Sequence, residues 1–324
     1  MSDDSVVITD VNQLRIEPGE SRRVWLGIGA SWFGSFRVPL YVAKGPRPGA
    51  KLVVLVCQHG DEVYGVLGGL DFMNEITGRV SSGEFWMVPC VNVLGFMTGS
   101  FVNPFDHRDM NRVHPGHKLG SLSEQIVSQL YQQVLPNADL VLDVHGGSLQ
   151  VGDIAFGRWT DVEGKPSVFH IVACMDLDFL VVPPDTSPGS LGSAATIVGV
   201  PSISIEAGSC LRYARDNAQE MAEIVTSCMR SLGMLDGARP QPKALPHKRI
   251  RSHRSFTSGA FKTLVSMGEH VGKGQRLGFV MDLLGHVIQD VVAGEDGIVT
   301  VMRTGVRVHA GESLISLAVA DDGS

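Results

Sequence analysis

Residues 52–57 read Leu-Val-Val-Leu-Val-Cys, an apolar run with no polar break. A strand that never alternates with polar residues has no face to offer water, so it must be covered on both sides, as in the centre of a parallel sheet. Two more candidates follow it. Leu140 to Val144 is a buried-strand pattern that ends at His145-Gly146-Gly147, and Ser202 to Ile205 is another. Helix-length segments stand between them. One covers roughly 63–76, Ser121-Leu-Ser-Glu124 has the capping-box pattern and opens a helix that stops at Pro136, and an amphipathic helix is expected near 218–232. Strands are also expected at 85–91 and 178–182, and residues 1–48 alternate short apolar runs with turn residues, which predicts a β-rich entry. The fold class that follows is α/β, a mostly parallel or mixed sheet with helices on both faces.

The texture changes after Gly237–Pro246, a proline-studded connector that places a domain boundary near 245, between a domain of 1–245 and one of 246–324. Beyond it helical periodicity stops. Gly268, Val271, Gly274 and Leu277 return 37 residues later as Gly305, Val308, Gly311 and Leu314. Two such β-units facing one another close a small all-β barrel or sandwich, because one alone cannot bury its apolar face. The spacing resembles biotinyl/lipoyl-type barrels. Those carry a modifiable lysine at the hairpin between the halves, whereas His286 falls near that place and Lys262 and Lys273 lie elsewhere. A structural or gating barrel without a carried group is expected.

Composition narrows the partners. The chain has 27 basic and 34 acidic residues for a net charge of −7, and no stretch concentrates Lys and Arg enough to follow a phosphate backbone, so nucleic acid is excluded. No apolar window is long enough to span a bilayer, and the first ten residues lack a basic start and an apolar core. A soluble, cytoplasmic protein with a small-molecule partner is expected, with a homo-oligomer open. The five cysteines, at 57, 90, 174, 210 and 228, are odd in number and form no CxxC pair, which argues against a disulfide framework and a thiolate zinc site.

Chemistry concentrates at strand ends. His59-Gly-Asp-Glu62 lies where the first buried strand stops and a helix starts, and open α/β sheets bind ligands outside the carboxyl ends of their strands. A His and a carboxylate three apart across such a turn can face one point, and His145 would add a third donor from a second strand end. Two imidazoles and one carboxylate leave a fourth zinc position open, the arrangement of catalytic zinc. The His-x-x-Glu pair alone is a common coincidence, and a strand-end His can simply bond a loop carbonyl. Asp143 stands two residues before His145, hence on the same face, where it can hold the other imidazole nitrogen.

Residues 92–115 form a long polar loop, and within it Asp106-His-Arg-Asp-Met-Asn111-Arg112 sets a carboxamide beside a guanidinium, suited to a carboxylate or simply solvated. Glu206 ends an apolar strand, where desolvation would raise its pKa toward that of a useful base, unless it merely emerges there. His107, His114 and His117 are expected to be solvent-exposed, and Gly27 to Gly34 reads as a β turn. There is no GxSxG elbow and no phosphate-binding P-loop.

In chain order, His59-Gly-Asp-Glu62, Asp109-Met-Asn111-Arg112, Asp143-Val-His145 and Ile205-Glu206-Ala-Gly208 resemble the motifs of the succinylglutamate desuccinylase/aspartoacylase family, whose catalytic domain is similar to zinc carboxypeptidases. The resemblance runs from about 52 to 208, and the C-terminal barrel is also like that family. It implies one zinc held by His59, Glu62 and His145, a substrate carboxylate held by Asn111 and Arg112, and Glu206 as the base that activates water. Two positions depart from the pattern. Many members carry an Arg, a candidate oxyanion stabiliser, where this chain has Phe101, so Arg108 is the residue expected to reach in instead. No Tyr follows Tyr213, although aspartoacylase-like enzymes lend one from the C-terminal domain. The activity implied is hydrolysis of the amide bond of an N-acyl amino acid or a related small N-acyl compound. A zinc carboxypeptidase on short peptides and a zinc-binding module without turnover are the alternatives.

Overall fold

The computed structural model describes residues 6–31, 34–146, 148–149, 151–182, 187–209 and 214–321. The entry is β-rich as expected, with β1 (Val7–Ile8), β2 (Ser21–Ser31) and β3 (Gly34–Lys44). β2 and β3 form an antiparallel hairpin in which Val24 faces Leu40 and Leu26 faces Val38, so alternate residues supply one apolar face. The glycine-rich stretch read as a turn falls at the end of this hairpin, and Trp32 and Phe33 within it lie outside the described residues.

β4 (Arg47–Val56), α1 (Val63–Ile76) and β5 (Ser82–Val88) follow. Next come α2 (Val93–Thr98), α3 (Leu122–Gln129) and β6 (Leu140–His145). β7 (Val151–Asp153), β8 (Phe156–Thr160) and α4 (Phe169–Val172) fill a stretch that carries no periodic signal, and β9 (Phe179–Val181) is the strand expected over 178–182. α5 (Leu191–Ala195), β10 (Ser202–Glu206) and α6 (Ala214–Ser231) complete the α/β part.

The unbroken apolar run of β4 has the cause inferred for it. Leu52, Val54 and Val56 join one core with Phe72 and Ile76 of α1 and Met221 and Val225 of α6. Val53 and Leu55 point the other way, into a core with Ile126 of α3, Leu130 and Leu191 of α5. The strand is therefore sealed on both faces, and each fully buried side chain of this size contributes about 1.5–3 kcal/mol. β5, β4, β6 and β10 run parallel and adjacent, with Val56 level with Val144 and His145 level with Glu206. That register brings three strand ends together at one edge of the sheet.

The loop expected over 92–115 is interrupted by α2. Asn92 caps it, its Oδ1 accepting from the Gly95 N–H at 2.9 Å, and Gly99 closes it in the left-handed region. Six residues are too few to show a helical period. His114 also departs from expectation, being buried with Nε2 2.7 Å from Gln58 Oε1, whereas His107 and His117 are exposed.

From His247 the chain is all β: β11 (His247–Arg254), β12 (Gly259–Thr263), β13 (His270–Val271), β14 (Arg276–Met281), β15 (Val287–Val292), β16 (Gly297–Arg303), β17 (Arg307–Val308) and β18 (Ser313–Ala320). The internal repeat is β13-turn-β14 answered by β17-turn-β18. Gly274 and Gly311 take the left-handed turn, and Val271, Leu277, Val308 and Leu314 meet in one core. His286 lies at the β14–β15 hairpin, bonded to Asp282. This small β unit is joined to the strands of the α/β part, since β11 pairs with β9 and β16 pairs with β7. No described helix is long and apolar enough to cross a membrane.

Candidate active site

The three strand ends carry the chemistry. β4 leaves the sheet through Cys57, whose φ of 59° lies in the left-handed region, and so turns the chain sharply toward His59. Gly60 follows because any Cβ there would fall 2.1 Å from the Gly95 carbonyl carbon of α2. Glu62 then occupies the N-cap of α1 without capping it. Its carboxylate is spent on the imidazoles instead: Oε1 lies 2.8 Å from His59 Nδ1 and Oε2 lies 3.2 Å from His145 Nδ1. All three groups are buried, and their ligand atoms lie within 4.8 Å of one another.

The outer ring nitrogens are held as well. His59 Nε2 is 3.2 Å from Asp109 Oδ1, and His145 Nε2 is 2.9 Å from Asp143 Oδ2. A carboxylate on each Nε2 keeps the hydrogen there and turns the Nδ1 lone pairs toward Glu62. Lone pairs facing carboxylate oxygens at such distances repel unless a cation or a proton lies between them. The donor set therefore fits a divalent metal, and two imidazoles with one carboxylate match zinc that keeps an open position.

Burial alone would favour neutral groups here, but the opposed charges outweigh it. Glu62, helped by Asp109, raises His59 to about 9; Asp143 and Glu62 raise His145 well above its usual range; and the two imidazoles hold Glu62 below the usual carboxylate range.

Behind His145 runs a buried chain. Asp143 Oδ1 accepts from Gln58 Nε2 at 2.7 Å, and Gln58 Oε1 accepts from His114 Nε2. Asp143, placed by its position on the strand, is 1 % exposed and does hold the imidazole. Asn111 is also buried. Its Oδ1 accepts from the Leu191 N–H at 2.8 Å, which fixes the amide so that Nδ2 lies 3.1 Å from His145 Nε2. Since that nitrogen already points its hydrogen at Asp143, the Asn111 amide hydrogens remain available to an incoming acceptor.

Arg112 is exposed on the same short turn, its Nη1 donating to the Asn111 carbonyl at 2.6 Å. Arg108 stands on the solvent side of the loop, and no contact joins its side chain to the His and Glu groups among the described residues. Phe101, in contrast, lies against the cluster. Its ring stacks on His59 at 3.9 Å and 10°, and its carbonyl accepts from the Gly60 N–H.

Glu206 ends β10 beside His145 and is half-buried, with no hydrogen bond or ion pair among the described residues. Burial pushes its carboxyl up, the His145 charge pulls it back, and Glu62 adds to the rise. Three contributors are not evident from sequence: Asp109 as the partner of His59, the Gln58–His114 chain, and Asp153, a buried carboxyl on β7 near Glu206. Asp109 sits within a motif already singled out, but nothing in its spacing tells which histidine it meets.

The parallel strands end in this His-Glu-His cluster, a donor set that could hold a metal ion, with the Glu206 carboxylate one strand away. The chain belongs to the succinylglutamate desuccinylase/aspartoacylase family: the model of that family's catalytic domain matches residues 48–232. It is 30% identical over 127 residues to the N-alpha-acetyl-L-2,4-diaminobutyric acid deacetylase of Halomonas elongata, a match covering 39% of this chain and 36% of that protein, or about a third of the relative's length. Solved structures share the fold over nearly the whole chain. The ectoine utilization protein EutE (DoeB) of Ruegeria pomeroyi, in its product-bound form, matches with a TM-score of 0.82 at 20% identity, covering 95% of this chain and 98% of that one. A succinylglutamate desuccinylase/aspartoacylase of Rhodobacter sphaeroides matches with a TM-score of 0.81 at 19% identity over the same shares.

Proposed function

We propose that this chain is a zinc-dependent deacylase that hydrolyses the amide bond of an N-acyl amino acid or a related small N-acyl compound. The observation that carries the reading is the pair of imidazole Nδ1 atoms facing the two oxygens of Glu62, with each outer nitrogen tied to a carboxylate. His59, Glu62 and His145 would hold one zinc, which when bound supplies polarisation of the acyl carbonyl and a more acidic water. Family membership and the deacetylase relative support amide hydrolysis.

The chain's own groups supply the rest. Arg112, with the available amide hydrogens of Asn111, orients a substrate carboxylate. Glu206 takes the proton of the attacking water and returns it to the leaving nitrogen, a task that suits a carboxylate whose pKa burial has raised. Arg108, exposed on the 92–115 loop, would reach in to steady the developing oxyanion. The four described cysteines are free and buried, which supports a reducing, cytoplasmic setting.

The test is a hydrolysis screen of N-acetyl, N-succinyl and N-formyl amino acids with zinc-reconstituted protein, run beside His59→Ala. We expect about one zinc per chain and turnover in the wild type, and loss of both in the variant. Zinc retained without turnover on any member of the panel would leave the chain a zinc-binding module.

A further inference from the structure

The two imidazoles of the site stand side by side, their ring centroids 4.9 Å apart, and different groups attend each. Asn111, the amide that with Arg112 orients the substrate carboxylate, lies against His145, Nδ2 to Nε2 at 3.1 Å. The face of His59 is covered instead by Phe101, whose ring stacks on it with centroids 3.9 Å apart. In an N-acyl amino acid the carboxylate and the acyl chain leave the scissile amide in opposite directions. A substrate whose carboxylate is held on the His145 side therefore sends its acyl chain toward His59 and Phe101.

What waits there is apolar. One face of the Phe101 ring is spent on His59, yet the residue stays 48% exposed, so its other face is open. Leu149, also 48% exposed, stands beside it, with Cδ1 3.6 Å from where a Cβ on Gly99 would fall, two residues before Phe101. Backbone bonds fix both to the turn between His59 and Glu62. The Phe101 carbonyl accepts from the Gly60 N–H at 3.2 Å, and the Leu149 N–H donates to the Asp61 carbonyl at 3.0 Å. Apolar surface fixed in advance costs little to order on binding. The charged side chain on this turn is Asp61, whose carboxylate accepts from the Ser148 hydroxyl at 2.7 Å. An acyl chain with its own carboxylate would meet that charge and lose hydration against two apolar side chains. An aromatic ring would stack on the open face of Phe101.

We propose that Phe101 and Leu149 form the acyl subsite, and that the group removed is a bulky, uncharged, apolar acyl group, an arylacetyl by preference, rather than acetyl or a dicarboxylic acyl group such as succinyl. The inference rests on the deacylase reading and names the acyl group for it.

The test compares kcat/KM for the phenylacetyl, acetyl and succinyl derivatives of one amino acid, in the wild type, Phe101→Ala and Phe101→Arg. All three carbonyls are bonded to a saturated carbon, so their intrinsic reactivities are alike. The wild type should favour phenylacetyl over acetyl by about 10-fold, the worth of a stacked aromatic pair with the area it buries, and act least on succinyl. Phe101→Ala should bring the phenylacetyl-to-acetyl ratio close to one, and Phe101→Arg should turn the preference toward succinyl. Because Phe101 also packs on His59, each variant is read as a ratio within one protein, which a general loss of activity leaves untouched. A wild type that prefers acetyl or succinyl, or a ratio that Phe101→Ala leaves unchanged, overturns the proposal. Calorimetric binding of phenylacetate and of succinate to the zinc-loaded wild type and Phe101→Ala separates this failure from failure of the deacylase reading. Tighter binding of phenylacetate that depends on Phe101 supports the subsite even where nothing is hydrolysed, and equal or tighter binding of succinate by the wild type refutes it.

Discussion

His114 shows how the surroundings of the site set its chemistry one residue at a time. Nε2 donates to Gln58 Oε1, so the ring is the Nε2–H tautomer, and Nδ1 has no partner among the described residues. Burial holds its pKa down to about 4, against about 6.5 for a free imidazole. Between those values the unfolded chain takes up a proton that the folded chain refuses, so stability present above pH 6.5 is lost as the pH falls toward 4. The full effect is about 3 kcal/mol. Denaturant midpoints from pH 7 to pH 4.5 should show a steeper loss in the wild type than in His114→Gln, and equal slopes would show that His114 does not titrate in that window.

Glu206 gives the complementary prediction. Gln is nearly isosteric and three metal donors remain, so Glu206→Gln should keep its zinc and its melting temperature while kcat falls about 10²- to 10⁴-fold on a substrate confirmed for the wild type. Near-normal kcat would remove Glu206 from the mechanism, and lost zinc would recast it as a ligand.

At the level of elements, the clearest agreement between local sequence and structure is α3. Ser121 Oγ accepts from the Glu124 N–H and Glu124 Oε2 accepts from the Ser121 N–H, the reciprocal pair that the four residues announce. The helix buries Ile126 and Val127, then relaxes into one wide turn over Leu130–Val134 before Pro136 ends it. Ser121→Ala should cost about 1 kcal/mol, read as a lower urea midpoint with an unchanged slope. Because α3 packs under the 92–115 loop, a change in slope would mean that this region melts separately. The elements that escape notice, among them α2, β7, β8, α4 and α5, are six residues or fewer. They exist because neighbours complete their hydrogen bonds, as β7 does with β16.

Across the whole molecule, one sheet order runs from the entry hairpin through the site strands and on into the C-terminal β unit. The β unit has its own core around Leu277 and Leu317, yet β9 with β11 and β7 with β16 tie it to the catalytic sheet by backbone bonds. Calorimetry of the zinc-loaded protein should therefore show one cooperative transition whose van't Hoff and calorimetric enthalpies agree. Two resolved transitions would show that those pairings are too weak to couple the cores.

What the chain's own order of residues determines is local and periodic. Unbroken apolar runs specify sealed strands, a capping box specifies a helix start, and strand ends single out His59, Glu62, His145 and Glu206, because a strand's direction tells where its last side chain must emerge. Asp143 is legible for the same reason: a two-residue period places it on the face of His145. Tertiary structure alone decides the contacts that join distant stretches without a period, such as Asp109 on His59, His114 on Gln58 and Asp153 beside Glu206. Those depend on how a loop or a three-residue strand closes over the site. That closure is set by the summed packing of both cores and the β unit, a quantity no short window of residues contains.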